Sequence, residues 1–191
     1  QSIRHIDRSR VYVTGLSGGG RMSGILAGCF PDLFAGAVSM AGVAHYEDKT
    51  NDLGKIWPAY FLRPSAKRWD LYKTHRLAAT SGPKDFNHEQ TLVLMGMQKD
   101  AGLDARVFTF DDIGHQTPDS AGFADALRWV DEPARTAADQ RAKLGQRLLQ
   151  ALDDKPPAGD ARAELLKIMD QAPWTPAGWT AAERLGLAQK P

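Results

Sequence analysis

Apolar positions change their spacing several times along this 191-residue chain, and the changes delimit its elements. Val11-Tyr12-Val13 belongs to a β-branched and aromatic run over 10–14 with strand character. After a glycine-rich break the spacing relaxes to Met22, Ile25, Leu26 and Cys29, one helical face that ends at Pro31. Residues 34–40 (FAGAVSM) form a short run of small apolar residues suited to a strand covered on both faces, closed by the Ala41-Gly42-Val43 turn. Arg76 to Thr80 reads as a third strand stopped by Ser81-Gly82-Pro83, and 86–101 as a helix offering Leu92, Leu94, Met95 and Met97. Arg106 to Phe110 alternates as a fourth strand, and Ala121 to Val130 is a helix bearing Phe123, Leu127 and Trp129. Strand and helix alternating four times predict an α/β fold: a parallel sheet of about four strands with flanking helices and right-handed crossovers.

The remaining segments follow other patterns. Residues 1–10 are a polar lead-in with no room for several strands. Residues 44–75 lack clear periodicity and interleave Trp57, Tyr60, Phe61, Trp69 and Tyr72 with prolines, which fits either a pocket-lining excursion over the sheet or a small local core. Pro133 opens a stretch rich in Ala, Arg, Gln and Leu, predicting a helix over 134–153, a Pro/Gly linker at 155–159 and a helix over 160–170. The tail carries Trp174 and Trp179 as expected buried anchors. The expected division is a domain over 1–132 and a helical extension over 133–191.

Composition narrows the function classes. Basic and acidic residues nearly balance, 24 against 23, so no surface for nucleic acid or an anionic membrane is expected. No apolar run approaches the roughly 20 residues that span a bilayer. Cys29 is the single cysteine, so no internal disulfide forms and the redox compartment is left open.

The break after the first strand holds the candidate chemistry. Gly15, Ser17 and Gly19 form a GxSxG pattern, and a serine lifted above a strand end by so tight a turn leaves no room for side chains two residues before and after it. The same turn aims the Gly18 amide, backed by the positive end of the following helix, at the place where an oxyanion would form. A phosphate-binding loop fails because Arg21 and Met22 stand where lysine and a hydroxyl are needed, and the dinucleotide pattern fails because Ser23 replaces its last glycine. A purely structural glycine turn is the plain alternative.

A serine hydroxyl needs a base, and the base needs a carboxylate to fix its tautomer. His115, in the loop after the fourth strand, is placed on the sheet end that holds Ser17; His5, His45, His75 and His88 are less well placed. Asp85, beyond the third strand, is the candidate acid, with the alternative that it caps the next helix and leaves His88 and Glu89 facing solvent. Asp111, Asp112, Glu47 and Asp48 compete for the role. A metal site built from Asp85, His88, Asp111, Asp112 and His115 lacks any HExxH-like spacing, so no metal and no cofactor are expected.

VYVTGLSGGGRM resembles the nucleophile elbow of the α/β-hydrolases, most closely the polyhydroxybutyrate depolymerase-like and feruloyl-esterase-like branch. SGPKDFN at 81–87 is similar to that family's acid loop and GHQTP at 114–118 to its histidine loop. The resemblance implies a serine esterase with Ser17 as nucleophile, Asp85 as acid, His115 as base and the Gly18 amide as one oxyanion donor. It also implies a small-molecule or polymeric ester substrate, hydroxyalkanoate or feruloyl esters being candidates, and a secreted or periplasmic location. A serine peptidase of the same fold and a non-catalytic binding module are the alternatives.

The likeness covers residues 8–132, and its four strands correspond to the last four of an eight-stranded sheet. The family's second oxyanion donor has no counterpart before Val11. The expectation is therefore the C-terminal half of a longer hydrolase, whose first strand is a bare edge that a preceding segment or a partner chain completes. Taken alone, such a half is expected to aggregate and to hydrolyse 4-nitrophenyl acetate poorly.

Overall fold

The computed structural model describes residues 6–155 and 161–187. Two compact units divide the chain, one over residues 10–133 and one formed by residues 134 onward with those before Arg10.

The first unit is built on a four-stranded parallel sheet in the order β1-β2-β5-β6, with β1 at Val13–Leu16, β2 at Gly36–Met40, β5 at Arg76–Ser81 and β6 at Asp104–Thr109. Its middle strands are buried at almost every position, as the small apolar runs predicted. Alternate residues divide between two cores. Ala37, Leu77, Ala79 and Ala105 pack with helices α1 (Gly18–Cys29), α2 (Ala66–Tyr72) and α3 (His88–Asp100) on one face. Val38, Met40 and Ala78 pack on the other face with Ala126 and Val130 of α4 (Ser120–Asp154). β1 is an outer strand: it pairs with β2 alone among the described residues.

Four expectations need correction. Residues 44–75 are not featureless: Lys49–Thr50 (β3) and Ile56–Trp57 (β4) pair antiparallel, and α2 follows. Trp57, Trp69 and Tyr72 are buried, so the aromatics of this segment mostly build a core, while Tyr60 stays at the surface.

The break expected at Pro133 is absent, and α4 runs through it. Proline lacks the N–H that would bond the carbonyl four residues back, which is that of Trp129. Arg76 Nη1 takes that place, donating to the Trp129 carbonyl at 2.9 Å while the same guanidinium pairs with Asp104 and Glu132 at 2.7 and 2.6 Å.

In the second unit, α5 (Ala161–Gln171) is followed by an unforeseen helix, α6 (Pro176–Arg184). Thr175 caps α6, its hydroxyl accepting from the Gly178 N–H at 3.2 Å, and Pro176 fills the first helical position. Leu165, Ile168, Ala177 and Ala181 form the core here. Trp174 is 38% exposed at a φ of 61°, so it is no buried anchor. Most of the expected 155–159 linker lies outside the described residues. No helix among the described residues is long and apolar enough to cross a membrane.

Candidate active site

Ser17 stands at the turn from β1 into α1 with φ 56° and ψ −113°, a conformation that L residues rarely adopt. Neighbouring backbone holds it there: its N–H donates to the Met40 carbonyl, the last of β2, at 2.8 Å. A Cβ on Gly15 would sit 2.5 Å from the Gly19 carbonyl group, which explains glycine at that position. Gly19 itself faces open space. The steric demand expected there falls on Gly20, where a Cβ would meet the carbonyl oxygens of Gly42 and Met40 at 2.6 and 2.7 Å. Gly18 is the first residue of α1, and its N–H donates to no backbone carbonyl among the described residues.

The second half of the site is assembled by the loops after β5 and β6. Asp85 has no exposed side-chain surface. Its Oδ1 accepts from the Asn87 N–H at 3.0 Å and lies 2.9 Å from His115 Nδ1, while its Oδ2 accepts from Ser81 Oγ at 3.2 Å. Asn87 Nδ2 donates to the Ala41 carbonyl at 2.9 Å, tying the acid loop to the turn after β2. Lys84 pairs with Asp112 at 3.0 Å, joining the acid and histidine loops. The Phe86 ring stacks on the His115 imidazole with centroids 4.2 Å apart. With Nδ1 committed to the carboxylate, Nε2 is the nitrogen left to exchange protons with a ligand.

Of the sequence candidates, the structure thus brings Asp85 and His115 together. Ser17, directly after β1, shares their sheet edge, because parallel strands present all their C-terminal ends to one side. No hydrogen bond joins Ser17 to His115 among the described residues. Asp85 is not the N-cap residue of α3; Asn87 holds that position, and the Asp85 carboxylate instead orders its own loop.

His88 does not face solvent. It is half-buried, with Nδ1 3.2 Å from Ser81 Oγ, so it backs the hydroxyl that serves Asp85. Ser81, Asn87 and Phe86 carry no motif of their own in the sequence; the available signal is that Ser81 closes β5 four residues before Asp85. His45 and His75 are remote from this cluster in their bonding, and burial pushes both imidazoles down from their ordinary pKa.

A parallel sheet flanked by helices, with a serine elbow on the strand edge that also receives an aspartate loop and a histidine loop, is the α/β-hydrolase architecture. The chain belongs to the prolyl oligopeptidase family, whose model matches residues 1–132. Two curated proteins are similar over short stretches. Poly(3-hydroxyalkanoate) depolymerase C of Paucimonas lemoignei is 60% identical over 37 residues, 19% of this chain and 9% of that protein. Acetylxylan esterase A of Emericella nidulans is 43% identical over 53 residues, 24% of this chain and 17% of that protein. Among solved structures, a ferulic acid esterase matches 65% of this chain and 52% of its own at 16% identity and a TM-score of 0.48. The chain therefore spans about half the length of that structure and a small share of both curated relatives.

Proposed function

We propose that this chain carries the nucleophile, base and acid of a serine hydrolase that cleaves carboxylic esters through an acyl-enzyme on Ser17. The observation supporting it most strongly is the buried Asp85 carboxylate 2.9 Å from His115 Nδ1, on the strand edge where Ser17 occupies a strained turn. In this reading His115 Nε2 takes the Ser17 proton as the hydroxyl attacks the ester carbonyl. The same imidazole then returns that proton to the departing alkoxide. Asp85 holds the tautomer and offsets the positive charge that His115 gains. The Gly18 N–H, at the positive end of α1, receives the developing oxyanion. Hydrogen bonds of this kind are often unmade without substrate, so the open Ser17 to His115 contact closes when a ligand fills the edge.

Ester rather than peptide chemistry is favoured by the names of the two curated relatives, both of which act on esters. On that similarity the substrate is a small or polymeric ester such as a hydroxyalkanoate. Membership of the prolyl oligopeptidase family favours a second reading, a serine peptidase built on the same residues. Among the described residues β1 pairs with β2 alone, which supports a further strand, from additional chain or a partner, completing the sheet and supplying the second oxyanion donor.

Acetyl trapping tests the proposal. After brief exposure to 4-nitrophenyl acetate, peptide mass mapping should find an acetyl group on Ser17, and Ser17→Ala should carry none. Acetylation that persists elsewhere at the same level in Ser17→Ala would remove Ser17 from the role, and no adduct at all would favour a binding module. Parallel assays with 4-nitrophenyl esters and peptide nitroanilides separate esterase from peptidase.

A further inference from the structure

Among the described residues, the half-buried Arg21 beside the elbow has no anion. Arg21 lies in the first turns of α1, its N–H donating to the Ser17 carbonyl at 3.1 Å. Helical side chains lean back over the preceding turn, which here is the turn of the nucleophile. Its Nη2 donates to Gln90 Oε1 at 3.3 Å, and its guanidinium carbon lies 5.1 Å from the centroid of the Tyr60 ring. Nε is buried and has no hydrogen-bond partner. No carboxylate among the described residues forms an ion pair with it.

The missing carboxylate is a matter of placement. Arg76, also half-buried, is matched by two acids. Beside Arg21 the partner is a neutral, buried glutamine, and the adjacent Glu89 is exposed and accepts from Asn51 Nδ2 at 3.4 Å. Gln90 belongs to the first turn of α3, five residues past Asp85. The guanidinium therefore bridges the helix that starts at the elbow and the helix that starts at the acid loop. A cation kept partly out of water, with neutral neighbours, retains its attraction for an incoming planar anion.

We infer that Arg21 is a carboxylate-recognition site beside the Ser17 turn, and that the preferred ester carries a free carboxylate on its acyl or alcohol portion. The ester half of this statement rests on the serine-hydrolase reading; the carboxylate half does not.

The test separates the two. Methyl hydrogen adipate, an ester with one free carboxylate, is titrated into nitrogen-15-labelled Ser17→Ala chain while the arginine Nε–H resonances are followed. The Arg21 signal is identified by its loss in Arg21→Gln. It should shift saturably with this ligand and not with dimethyl adipate; an unmoved signal, or equal movement with the diester, overturns the inference. In the chain with Ser17 intact, the ratio of kcat/KM for 4-nitrophenyl hydrogen adipate over its methyl-capped counterpart should fall about tenfold or more in Arg21→Gln. Arg21→Lys should recover part of that loss. An unchanged ratio contradicts the inference. Anion binding at Arg21 without any adduct on Ser17 retains the site and sinks the hydrolase reading.

Discussion

The two sides of the sheet hold the site in different states of readiness. On the β5 and β6 side, Asp85 is fully enclosed, both of its oxygens are engaged, and the loops carrying it and His115 are joined by Lys84 and Asp112. On the β1 side, Ser17 is strained and unbonded to His115, the strand pairs with β2 alone among the described residues, and Leu16 and Met22 are 38% and 51% exposed. The Asp85 and His115 pair is thus preassembled from residues within 81–115.

Removing the charge from the preassembled side should have the largest effect. Asp85→Asn keeps the shape of the loop but favours the wrong imidazole tautomer, and turnover should fall by about 10³- to 10⁴-fold with KM little changed. A loss under tenfold in steady-state kinetics would mean the pair does not work as a unit.

The elbow side is broken through sterics. Gly20→Ala drives a Cβ into two carbonyl oxygens and should cost about 2–3 kcal/mol in urea unfolding, whereas Gly19→Ala meets open space and should stay within about 0.5 kcal/mol. Equal costs would contradict the packing described for α1 against β2. A smaller effect is expected at Ser81→Ala, which removes one of the hydrogen bonds to Asp85 and should lower kcat by about tenfold with little change in unfolding midpoint.

The subtlest prediction concerns acid. Burial lowers the pKa of His45 and His75 in the folded chain, so between the folded and unfolded values the unfolded chain binds more protons. Their contribution to stability is complete above the unfolded value of about 6.5 and is lost as pH falls below it. Melting temperatures should decline below that point, and His75→Gln should flatten the decline.

Much of this arrangement was legible because it is local. Strand, glycine break and amphipathic helix follow one another around Ser17, and Asp85 and His115 each stand just past an apolar run. What escaped depends on partners distant in sequence. The helix through Pro133 exists because Arg76, far along the chain, supplies the donor that proline lacks. The buried role of His88 depends on Ser81 closing β5, and the demand for glycine at 20 rather than 19 arises from carbonyls of another strand and turn. The α6 start is written locally in Thr175-Pro176, a cap and a first-turn proline that apolar spacing does not register.

The central claim is that Ser17 is activated by the His115 and Asp85 pair. The most direct measurement is the rate at which a fluorophosphonate labels the chain, with the modified residue located by mass mapping. The account predicts labelling confined to Ser17 and slowed by at least about a hundredfold in His115→Ala. Label on another residue, or an equal rate without the imidazole, would contradict it.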